Sequence, residues 1–202
     1  MDEFNPIKKT YRYGEYELAF DFWAEHNESS HIPHDPALSA FTKLNWTRTH
    51  RIQNTVHLNE DLVRFIKELK REIEWRVITE SWCGDSAQSL PVLGELARLN
   101  PDRMKIFIYM RDQNLDLMDQ YLTNGSRSIP IFILIDKESN KELGVWGPRP
   151  KPAQNILLEW KREKKDKSWE DFERELHTWY AKDKSHTIQL EWLELLQNLD
   201  WA

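Results

Sequence analysis

The chain predicts an α/β domain, a mixed sheet with helices on both faces, extended by further helices at each end. Three observations predict it. Apolar, β-branched runs at 75–80, 105–110 and 130–135 alternate with helix-periodic runs at 87–99 and 115–122. A last strand at 143–146 follows the turn-rich segment 136–141, which reads as a hairpin. Most of the ten tryptophans, among them Trp23, Trp46, Trp160, Trp169, Trp179, Trp192 and Trp201, lie outside this middle region. Indole rings need burial, so the flanking segments should be folded and docked on the core.

The elements follow in order. Residues 1–12 read as irregular. Residues 14–25 carry Leu18, Phe20, Phe22 and Trp23 and read as a short helix. The polar stretch 27–36, with two prolines, reads as a loop. Its His31-Ile32-Pro33-His34-Asp35 has ligand-type side chains, but Pro33 bars a helix presenting both histidines on one face. A solvated loop without metal is expected there. Pro36 can open a helix that ends before Leu58, and Asn59 is placed to cap a helix over 60–71 with Leu62, Phe65, Ile66 and Leu69 on one face. A helix over 153–164 runs into a charged linker at 161–167. Beyond it, Trp169, Phe172, Leu176, Trp179 and Tyr180 form one helical face, and Ile188, Trp192, Leu195, Leu196 and Leu199 another. Such a pair reads as a helical hairpin laid on the core, with homodimerisation the alternative use of its apolar faces. The expected division is 1–57 for an N-terminal helical extension, 58–164 for the α/β domain and 165–202 for the hairpin.

Composition narrows the function. Lysines and arginines total 28 against 34 acids, a net charge of −6, and they form no basic stripe, which argues against nucleic acid. No apolar run is long enough to span a bilayer. Residues 1–6 have neither the basic nor the apolar region of a secretory signal. One cysteine cannot form an intrachain disulfide. Together these features predict a reducing, cytoplasmic setting.

That cysteine, Cys83, sits in Trp82-Cys83-Gly84-Asp85-Ser86, between a strand and a helix. Unpaired N–H groups and the dipole at a helix start favour a thiolate, the reactive form. Ser86, one turn along, could donate a hydrogen bond to the sulfur, whereas the Asp85 carboxylate opposes a second negative charge.

Residues 58–164 resemble thioredoxin. Trp82-Cys83-Gly84-Asp85-Ser86 stands where thioredoxins carry Trp-Cys-Gly-Pro-Cys. Pro91 matches the proline that kinks the following helix. Asp112-Gln113-Asn114 follows the third strand, Ser128-Ile129-Pro130 matches the cis-proline segment, and Gly147 the glycine flanking the substrate groove. Within that family the chain is most similar to bacterial single-cysteine proteins with Trp-Cys-Gly-Asp and Trp-Gly-Pro-Arg-Pro segments. The resemblance implies a thioredoxin fold with Pro130 cis, Ile129 offering its backbone to an extended substrate, Trp82 as an apolar wall, and Arg149 near the groove. Arg127 precedes the proline segment, and either arginine could offset Asp85 or clamp a carboxylate of a small thiol such as glutathione.

Two departures bear on activity. Ser86 replaces the resolving cysteine, and Val77 stands where thioredoxins keep a buried aspartate. An internal dithiol cycle is therefore ruled out. The resemblance then implies a monothiol thiol–disulfide oxidoreductase acting on a disulfide-bearing protein or a low-molecular-weight thiol, with no cofactor. Cys83 and Ser86 would be catalytic, with Trp82, Gly84, Asp85, Ile129, Pro130, Gly147 and Arg149 binding substrate. The alternative is a redox-inactive adaptor that uses the old groove, with Cys83 a small semi-buried residue. Two minor readings are an iron–sulfur site, from a three-residue similarity to monothiol glutaredoxins, and a peroxidatic thiol assisted by Thr79.

Overall fold

A computed structural model describes residues 8–162 and 167–199. Residues 1–6, most of the charged linker and Trp201 lie outside the described residues. The centre is a five-stranded sheet of order β1-β3-β2-β4-β5, formed by β1 (Thr10–Arg12), β2 (Ile73–Thr79), β3 (Met104–Met110), β4 (Ile131–Asp136) and β5 (Glu142–Trp146). β2 runs parallel to β3 and antiparallel to β4, while β1 and β5 close the two edges antiparallel. β2 is central and buried at every position but Arg76, as an apolar run of this kind requires.

The helices are α1 (Tyr13–His26), α2 (Pro36–Thr55), α3 (Glu60–Glu68), α4 (Ser86–Leu99), the short α5 (Leu115–Met118), α6 (Lys151–Arg162), α7 (Trp169–Asp183) and α8 (His186–Gln197). Their ends follow local chemistry. Asp35 accepts from the Ala37 N–H at 2.8 Å, with Pro36 at the first position of α2. Asn59 accepts from the Leu62 N–H at 3.0 Å. Ser168 and Asp171 form a capping box on α7. Pro91 lies inside α4, where it removes one N–H from the ladder.

The main core joins Val77, Ile108 and Phe132 of the sheet to Trp23 of α1, Leu62 and Ile66 of α3, Leu93 of α4 and Trp192 of α8. Trp192 is fully buried, with ring centroids 5.7 Å from Trp75, 5.4 Å from Phe132 and 5.5 Å from Trp146. The opposite face carries a smaller cluster of Ile78, Ile131, Ile133, Ile135 and Met118, which includes Cys83. A third cluster joins Ala153 of α6 to Phe172, Leu176 and Tyr180 of α7.

The sequence expectation fails locally in three places. Residues 10–12 are not irregular: they form β1, and Tyr11 packs edge-to-face on Tyr16 and Trp23. Three residues are too few for a periodic signal. The helix expected over 115–122 stops at Met118, and the one expected over 60–71 stops at Glu68. Among the described residues no helix is long and apolar enough to cross a membrane.

Candidate functional site

β2 delivers the chain to the site and ends at Thr79. Residues 80–85 turn sharply, with the Cys83 N–H donating to the Glu80 carbonyl at 3.1 Å, and α4 starts at Ser86. Cys83 lines the floor of a cleft of about 360 Å³, walled by Trp82, Gly84, Ile129, Arg149, α2 and α7. Its Sγ donates to the Ile129 carbonyl at 3.4 Å. The Ile129–Pro130 peptide is cis. Gly147, at φ +131°, lies against the Pro130 carbonyl, where a Cβ would come within 2.3 Å of the oxygen, so only glycine fits.

A helix start alone favours a thiolate at Cys83, and its surroundings oppose one. Cys83 is only 7 % exposed. Burial pushes its pKa up to about 11, and the Asp85 carboxylate pushes the same way. The Ser86 hydroxyl and the Ser86 and Asp85 backbone N–H groups favour the thiolate, and they are outweighed. At neutral pH the side chain is a thiol. Ser86 is itself buried, and its hydroxyl hydrogen-bonds that of Thr79.

Asp85 is engaged by groups of the protein itself. It is buried, accepts from Arg149 Nε at 2.9 Å and from Arg149 Nη2, and takes a third hydrogen bond from the Tyr180 hydroxyl at 2.7 Å. Arg149 therefore offsets Asp85, one of its two expected roles, and is not free to clamp a ligand. Arg127 pairs with Asp119 at 2.6 and 2.9 Å on the rim. Trp82 is an apolar wall of the cleft, with the Arg111 guanidinium 4.8 Å above its ring. Of the residues expected in the site, Trp82, Cys83, Gly84, Asp85, Ile129, Arg127 and Arg149 line one cleft. Ser86, Pro130 and Gly147 support it from behind.

Several residues at this site carried no local signal. Tyr180, His177, Leu176 and Phe172 come from α7, some 90 residues along the chain, and Arg48 comes from α2. His177 and Arg48 both reach Gly84: a Cβ there would lie 3.3 Å from His177 Cε1 and 3.4 Å from Arg48 Nη1. Behind the turn, Glu80 is buried. It accepts from the Asp112 N–H at 2.9 Å and from the Ser30 hydroxyl, and burial pushes its pKa up to about 7. An acid ending an apolar strand was the one available hint of it.

A thioredoxin family model matches residues 32–166, more than half of the chain and all of this site except α7. The chain belongs to the thioredoxin family. Two solved structures share its fold. One is a protein of unknown function from Pseudomonas aeruginosa, 19 % identical, with a TM-score of 0.59 over 79 % of this chain and 90 % of that one. The other is an HIV epitope-scaffold, 20 % identical, with a TM-score of 0.55 over 88 % of this chain and 96 % of that one. No curated protein matches. At these identities the likeness speaks for the thioredoxin fold alone.

Proposed function

We propose that this thioredoxin-family chain is a binding protein that uses the groove beside Cys83 without a redox cycle. The observation that carries the reading is the setting of the sulfur: the lone thiol is buried and donates to the Ile129 carbonyl, and that burial and the Asp85 carboxylate disfavour its thiolate. The thiolate that exchange requires is then disfavoured at neutral pH. The missing resolving cysteine and the internal use of Asp85 and Arg149 support the same reading. The test is turnover of a small mixed disulfide by wild type and Cys83→Ser. Equal, background-level rates are expected; a clear rate in wild type that disappears in Cys83→Ser contradicts the reading.

One observation favours monothiol exchange as a second reading. The Ser86 hydroxyl and two backbone N–H groups already face the sulfur, so opening the cover would expose a thiol with donors in place. Under that reading Cys83 would attack a mixed disulfide, with an external thiol releasing the product. The same assay decides between the two.

A further inference from the structure

Four arginines line the Cys83 cleft, and three are committed: Arg149 to Asp85, Arg127 to Asp119 and Arg111 to Asp112. Arg48 is different. Among the described residues its guanidinium makes no ion pair, and the hydrogen bond it makes runs from Nη1 to Asn45 Oδ1 at 2.9 Å. It is half-buried, and that burial disfavours its charge. Most of its five N–H donors are unused. Beside it stands His177, whose buried Nδ1 has no hydrogen-bond partner among the described residues, and across the cleft the buried Trp82 Nε1 also lacks one among them. Unpaired buried polar atoms are costly and call for an explanation. Here two of them, from α7 and the cysteine turn, border the cleft that Arg48 of α2 also lines, with Phe41, Ile129, Trp169 and Phe172 among its apolar walls.

We propose that this cleft binds a small organic anion, with a carboxylate or phosphate head on the Arg48 fork beside His177 and an apolar body against Trp82, Trp169 and Phe172. The volume suits a small ligand. A planar guanidinium matches both oxyanions through paired N–H bonds. Glu173 also lines the cleft and attracts Arg48 without pairing with it, so it opposes the ligand's charge. The inference deepens the binding reading above and rests on it.

The experiment titrates the full chain with phenyl phosphate, phenylacetate and uncharged benzyl alcohol, following tryptophan fluorescence and the NMR signals of the His177 ring. Saturable binding of at least one of the two anions, and none of the alcohol, is expected; which anion binds more tightly identifies the head group. Arg48→Met should weaken that binding about tenfold or more, and Arg48→Lys, which keeps the charge but loses the fork, by less. In wild type the bound anion should raise the His177 pKa, which burial and Arg48 now hold down at about 4. No saturable response, a response unchanged in Arg48→Met, or a His177 ring indifferent to the anion each overturns the proposal. The His177 readout needs no variant, so it decides even if Arg48→Met does not fold. A thiol that turns over with anion binding intact removes the redox-silent reading and leaves the anion site standing; a silent thiol with no anion binding does the reverse.

Discussion

Three side chains around the cysteine turn bear on stability in different ways. Burial raises Glu80 to about 7 from an ordinary value of 4.5, so the folded state holds its proton more tightly than the unfolded chain. That contribution is complete below the ordinary carboxylate pKa and is lost as pH rises through about 7, a span of about 3 kcal/mol. His177 has the opposite sign. Its pKa falls from 6.5 to about 4, so its contribution is present above 6.5 and is lost as pH falls towards 4. The two slopes nearly cancel between these limits, and wild-type stability should be flat there. Glu80→Gln should uncover a stability that rises with pH, and His177→Gln one that falls, both read by urea unfolding across the window. The third is Asp85. Arg149→Met leaves its carboxylate buried with only Tyr180, and should cost about 3–5 kcal/mol in the same measurement.

At the scale of elements, α7 and α8 have separate tasks. α8 is structural: Trp192 fills the space between Trp75, Phe132 and Trp146, and Trp192→Ala should destabilise by about 3–5 kcal/mol with little effect on the cleft. α7 is the cover. Phe172 and Leu176 hold it on α6, and its His177 and Tyr180 reach the cysteine turn. Loosening that contact should expose the sulfur by local opening. Phe172→Ala with Leu176→Ala is expected to speed iodoacetamide modification of Cys83 by about tenfold or more under conditions where urea unfolding shows the variant still folded. An unchanged rate would mean that the sulfur is shielded by something other than α7.

Across the whole molecule, what could be read from sequence was whatever is local and periodic. Pro36 and Asn59 marked the starts of α2 and α3, the apolar period placed α4 closely, and the spacing of Cys83, Pro91, Pro130 and Gly147 marked the thioredoxin core. The state of the site was not legible, because it depends on pairs distant in sequence. Tyr180 meets Asp85 across 95 positions, and Ser30 meets Glu80 across 50. A helix start before a lone cysteine suggests a thiolate, but the desolvation that reverses the sign comes from burial among side chains distant in sequence, such as Met118, Ile129 and Ile131, which no local pattern ties to residue 83. The apolar face of α7 reads equally well as core packing, and only the fold shows which surface it seals.

The most direct measurement is the ionisation of Cys83 itself, followed by thiolate absorbance against pH in the intact chain, with Cys83→Ser as the blank. A closed, redox-silent groove predicts a midpoint near 11 and negligible thiolate at neutral pH. A midpoint below the free-thiol value of about 8.5 would contradict it and return the site to exchange chemistry.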